Sequence, residues 1–180
     1  MANNECVYNA IMAGQLANGK LAMSRFVRDL CAELGLLQRT TFYRDREFLF
    51  AILAGIIVVG AMRLLWPEAA QHNTSVGLLI IVNWLFWAPL VEELLFRGVF
   101  QGQFYRLWRA EHSLLGLSYA NWITSLLFVA VHFIHHSSLW AVSVLVPSLV
   151  FGYFRDRDGS LLPAIALHSI YNAQYLFLLG

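Results

Sequence analysis

The sequence predicts an all-α fold, a polytopic membrane helix bundle of about five transmembrane helices preceded by an N-terminal amphipathic helix. Three observations predict it. Of 180 residues, 59% are hydrophobic and only 13% charged, against roughly 25% charged in an ordinary soluble domain. Five apolar stretches follow one another after residue 47, at or near the length a membrane crossing needs. The polar residues inside those stretches recur at helical spacing. The chain therefore divides into a cytoplasmic, interfacial segment over 1–47 and a membrane domain over 48–180.

In the first segment Met23, Phe26, Val27, Leu30, Cys31, Leu34 and Leu37 share a helical stripe, with Lys20, Arg25, Arg28 and Asp29 elsewhere on the wheel. Such a helix, over residues 20–37, is expected to lie on the membrane surface with its basic residues near anionic headgroups. Packing of the same helix on the protein's own loops is the competing reading. The first 45 residues show no apolar core behind a charged start, so no cleavable leader is expected. Cys6 and Cys31 both fall in this segment and read as free thiols rather than a disulfide framework.

The first apolar stretch runs from Phe48 to Trp66, with Arg63 placed to snorkel at its end. The second, Val76 to Phe104, contains Pro89. That proline cannot donate to the Leu85 carbonyl and should kink the helix one turn before Glu92. The third stretch is Ser113 to Phe133, the fourth Leu139 to Phe154 and the fifth Ser160 to Leu179. Six of the twelve basic residues precede the first stretch, and the connections after the second and fourth carry Arg106, Arg109, Arg155 and Arg157. The connections after the first and third carry none. The positive-inside rule then gives five spans with a cytoplasmic N-terminus.

The second stretch holds the chemistry: Leu90-Val91-Glu92-Glu93-Leu94-Leu95-Phe96-Arg97-Gly98. A charge at the centre of a spanning helix costs about 2.5–3.5 kcal/mol on insertion scales, so three in six residues call for a reason. Glu93 and Arg97 are i,i+4 neighbours, about 40° apart on the wheel, and can pair. Glu92 points away from both, toward Ala88, Pro89 and Phe96, with no local partner. A buried network that only fixes packing is the bland account of the trio. A carboxylate held ready for proton chemistry beside a structural ion pair is the functional one.

Two further stretches bring polar groups inward. Phe128 and His132 share a face at i,i+4, and so do His168 and Asn172 in the middle of the fifth stretch. Hydrogen bonding between helices would account for His168 and Asn172 without catalysis. His135 and His136 read as loop residues. Glu92, His132, His168 and Asn172 together suit an acid–base site that polarises water and stabilises an oxyanion. A zinc site built from the glutamate and the two histidines is the competitor, and the residues alone leave both open.

The three patterns Glu92-Glu93-x-x-x-Arg97, Phe128-x-x-x-His132 and His168-x-x-x-Asn172 resemble, in order, the signatures of the CAAX prenyl protease and bacteriocin-processing (CPBP) family of intramembrane glutamic proteases. The run from Gly152 through Arg155, Gly159, Ser160 and Pro163 to His168 is similar to the family's approach to its third signature. The resemblance covers about Asn83 to Asn172 and implies an intramembrane peptidase needing no cofactor and no metal. It implies that Glu92 and His132 activate a water, that His168 and Asn172 stabilise the oxyanion, and that Glu93, Arg97 and Phe128 support them. It also implies a membrane-anchored protein or hydrophobic peptide as substrate, cut near its C-terminus, no nucleic acid, and a bacterial inner membrane. Small bacterial relatives are associated with peptide maturation, bacteriocin immunity and sorting signals. A catalytically silent binding protein would not need all four polar groups, and a proton-coupled carrier would be expected to show inverted repeats, which this sequence lacks.

One geometric condition follows. His132 lies about 28 Å along a helix that starts at Ser113, at 1.5 Å per residue, whereas Glu92 should sit nearer mid-membrane. For the two to meet, the third helix must begin deeper than Ser113 or tilt strongly.

Overall fold

The computed structural model describes residues 22–38, 40–65, 77–108, 113–134 and 138–178. Cys6, Lys20, Arg39, Trp66, the 67–75 connection, Arg109, His135 and His136 lie outside the described residues. Among the described residues the fold is all-α apart from one two-stranded hairpin.

Helix α1 covers 22–33, inside the expected 20–37. It stops early because Gly35 takes φ +74°, a left-handed conformation that a Cβ would oppose. Gly35 N–H then bonds to Ala32 O, and Leu36 N–H to Cys31 O, which satisfies the last carbonyls of the helix. The turn is clasped from the other side: Leu161 N–H donates to Gly35 O at 3.1 Å, and Arg155 Nη2 donates to Glu33 O.

Helix α2, Arg46–Leu65, begins at Asp45, whose carboxylate accepts the Phe48 N–H at 3.0 Å as an N-cap does. Helix α3 is continuous over 78–108, with π-helical stretches at Asn83–Trp87 and Leu94–Gln101. The first stretch alters the effect of Pro89. Ala88 N–H bonds to Asn83 O, five residues back, so the carbonyl that Pro89 cannot reach in this register is Trp84's and not Leu85's.

Strands β1 (Ser113–Leu114) and β2 (Leu117–Ser118) pair antiparallel. Helix α4, Tyr119–His132, is capped by Ser118, whose hydroxyl accepts Asn121 N–H. The third apolar stretch is thus partly hairpin, and His132 lies about 20 Å along its helix rather than 28 Å. Its helix starts six residues later than the apolar stretch does. The fourth stretch is divided into α5 (Ser138–Ser143) and α6 (Leu145–Asp158), because Pro147 has no N–H for Ser143 O. Helix α7 is Leu162–Leu178.

Among the described residues, two helices are long and apolar enough to cross a membrane: Arg46–Leu65 and Leu78–Leu107. At 14, 14 and 17 residues, α4, α6 and α7 are shorter than the roughly 20 residues of an untilted crossing. The outer face of α2 presents Phe50, Leu53, Ile57 and Val58, which no other described residue covers. Its inner face packs on α7, where Tyr171 Oη–H donates to Ala51 O and Gln174 Nε2–H to Ile52 O.

Phe48, Phe151, Phe154, Ala164 and Leu167 form the core where α2, α6 and α7 meet. Helices α4 and α6 approach at Gly152, where a Cβ would lie 2.0 Å from Asn121 Oδ1. Glycine is required there by space alone. Helices α3, α4, α6 and α7 thus surround one small polar volume.

Candidate active site

Helix α3 carries Glu92, Glu93 and Arg97 into that volume. Glu93 and Arg97 are completely buried, with Arg97 Nε 3.4 Å from Glu93 Oε2. Arg97 Nη2 donates to the hydroxyl and the carbonyl of Ser148 on α6, at 2.8 and 2.9 Å. Its guanidinium carbon lies 5.1 Å from the Phe128 ring centre and 5.7 Å from that of Phe151. Arg97 Nε and Nη1 and Glu93 Oε2 make no hydrogen bond. Charge, the two hydrogen bonds to Ser148 and two aromatic faces therefore hold this pair, in surroundings where an isolated charge would be very costly.

The other oxygen of Glu93 meets His168 Nδ1 at 2.8 Å. A carboxylate only accepts, so Nδ1 carries the proton and the remaining nitrogen, Nε2, is turned toward Glu92, 3.9 Å from its Oε2. Phe151 stacks on the His168 ring at 4.9 Å and 16°, and Phe128 meets it edge-on at 6.1 Å. The imidazole is fixed in plane, with a proton on Nδ1.

The two adjacent glutamates therefore differ sharply. Glu93 has no exposure, while the Glu92 side chain retains 34%. The electrostatic neighbours of Glu92 are His168, His132, Glu93 and Arg97. His132 sits against Phe128, ring centres 4.3 Å apart, with its Nδ1 2.8 Å from Phe128 O. A carbonyl also only accepts, which fixes this tautomer too.

Asn172, one turn beyond His168, donates from Nδ2 to Trp84 O at 2.9 Å. Six of the seven residues singled out in the sequence thus meet around Glu92 and His168, while Asn172 is tied to α3 at Trp84 rather than to its helical neighbour. Three contributors were not singled out: Ser148, Phe151 and Trp84. Each acts across a helix–helix contact, and a lone serine or phenylalanine in an apolar run carries no local signal.

Among the described residues no set of three His, Cys, Asp or Glu side chains is arranged to hold a metal. Glu93 is committed to Arg97 and His168. A cavity of about 430 Å³ lies elsewhere, between α1, α3 and α6, bordered by Leu34, Gln101, Arg106 and Asp156 but by none of Glu92, His132, His168 and Asn172.

The model of the type II CAAX prenyl endopeptidase Rce1-like family matches residues 73–174, more than half of the chain. The chain belongs to this family. The match spans all of α3, α4 and α6 and most of α7, the helices that supply every residue of the polar volume, and leaves out α1 and α2. The Rce1-like family is one of intramembrane CAAX endopeptidases. Together with the apolar helices this makes the chain an integral membrane protease acting on a peptide or protein. No curated protein and no solved structure matches it.

Proposed function

We propose that the chain is an intramembrane endopeptidase that hydrolyses a peptide bond near the C-terminus of a membrane-anchored protein or hydrophobic peptide. The observation that carries the reading is the asymmetry of the glutamates: a partly exposed Glu92 facing a histidine that a buried Glu93 holds still. Glu92, helped by His132, takes a proton from a water that attacks the scissile carbonyl carbon. The carbonyl oxygen becomes an oxyanion held by His168 Nε2–H and an Asn172 N–H. Collapse breaks the C–N bond, and Glu92 returns the proton to the departing amine.

His168 donates from Nε2 only as imidazolium, since Nδ1–H is already given to Glu93. Water activation here needs no metal and no cofactor.

Five spans with a cytoplasmic N-terminus suit the distribution of arginines, in the inner membrane of a bacterium. Residues 1–47 then form a cytoplasmic interfacial segment, with α1 on the membrane surface, ahead of the protease domain over 48–180. Exposed Met23, Phe26 and Val27 beside Arg25 and Arg28 support that placement.

The test compares the C-termini of membrane and surface proteins by mass spectrometry, in cells with and without the chain. Purified protein is then assayed on the shifted substrate before and after exhaustive chelation. New C-termini that depend on the chain, and turnover that survives chelation, are expected. Loss on chelation with rescue by zinc alone would replace the water-activating glutamate with a metalloprotease.

A further inference from the structure

Asn172 can serve an oxyanion only if its amide is held still with one N–H left over. A primary amide has two N–H groups, and here one goes to Trp84 O at 2.9 Å. A helix carbonyl has two lone pairs and can take a side-chain donor beside its main-chain N–H, as Ala51 O and Ile52 O do in α2, but the register of α3 leaves Trp84 O without that main-chain donor. Two features of α3 explain why Trp84's is open. The π-helical stretch Asn83–Trp87 sends Ala88 N–H to Asn83 O, which removes the donor an α-register would have given Trp84. The next residue in that register is Pro89, which has no N–H.

We infer that Pro89 and the π-turn before it are a positioning device for Asn172: they keep the Trp84 carbonyl open so that it orients the amide and leaves the second N–H for the reacting oxygen. Pro89 touches no substrate and acts through Asn172 alone. The inference rests on the reading of Asn172 as an oxyanion donor.

The experiment replaces Pro89 in the full chain, in detergent or nanodiscs, and reads two quantities. The first is the NMR signal of the Asn172 side-chain amide, whose two protons should differ strongly while one is bonded to Trp84. Pro89→Ala introduces an N–H that competes for Trp84 O, so the two protons should move toward each other. The second is turnover of a C-terminal peptide substrate. Pro89→Ala should lower kcat by roughly 10–10²-fold with KM little changed, the scale of a small misplacement of a reacting group. Placing lactic acid at position 89 removes the N–H without restoring the proline ring, and should recover both signals. In an Asn172→Ala background the same change at 89 should cost little more, since the two act as a unit.

An unchanged Asn172 amide signal in Pro89→Ala, or losses that simply multiply in the double variant, would overturn the inference. A wild-type protein that cuts no peptide while its Asn172 amide still responds to Pro89→Ala would leave the anchor standing and remove the protease reading.

Discussion

Two carboxylate–arginine clusters in this protein can be set side by side. In the first, Glu93 and Arg97 are fully buried, 3.4 Å apart, pressed between Phe128 and Phe151. In the second, at the ends of α2 and α6, Arg157 reaches Glu47 at 2.7 Å, Asp158 at 2.7 Å and Asp45 at 3.1 Å, all partly open to solvent. The shorter contacts belong to the cluster whose loss costs less. Water screens the second cluster and competes for its groups, so its close distances convert into little stability. The first has no solvent to fall back on, so each partner is required by the other even though the pair as a whole carries a desolvation cost. What such a pair supplies is a fixed anion at a chosen place, and here that anion is given to His168.

The largest expected effect contrasts the neighbouring glutamates. Glu92→Gln keeps size and shape, so melting temperature and yield in detergent should stay near wild type. Turnover should fall toward the upper end of the roughly 10²–10⁴-fold that a general base contributes. A Glu92→Gln protein that still cuts its substrate would move the base elsewhere.

Glu93→Gln comes next. It strands Arg97, and breaking a buried pair typically costs about 3–5 kcal/mol, so yield and melting temperature should drop. It also weakens the partner of His168 Nδ1, so its defect has a second part. Adding Arg97→Met to Glu93→Gln should recover much of the stability without recovering turnover. Full recovery of turnover would mean that Glu93 serves packing alone.

The smallest effect belongs to the exposed cluster. The Phe48 N–H first, and then Arg157, hold the Asp45 carboxyl below its usual range. A carboxyl whose folded value lies below its unfolded one contributes fully above the unfolded value, about 4, and loses that contribution as pH falls through the folded value. Arg157→Ala should therefore lower the melting temperature slightly at pH 7, less than Glu93→Gln does. The difference from wild type should shrink in high salt and again below about pH 4. An equally large shift at high salt would point instead to lost packing of Arg157 on Phe154, 4.7 Å from its ring centre.

Much of the site was legible because its pairs are local. Glu93 with Arg97, Phe128 with His132 and His168 with Asn172 are each i,i+4, and helical geometry alone puts each pair on one face. The membrane character was legible from composition. The boundaries were less so. The hairpin at Ser113–Ser118 and the break before Leu145 interrupt runs that hydropathy reads as continuous, because a hairpin turn and a single proline hardly change an average over many residues.

What the sequence by itself determined is the kind of protein and the inventory of its polar centre: helices for a membrane, two glutamates with separate directions, an arginine for one of them, and two histidines. Only the tertiary structure decided how the inventory is joined. Glu93 is shared between Arg97 and His168, Phe151 sets the plane of that imidazole, and Asn172 hangs from a carbonyl on another helix. The physical reason is range. Side chains one turn apart are related by the helix itself, whereas His168 and Glu93 are 75 residues apart and meet only where α3, α6 and α7 pack.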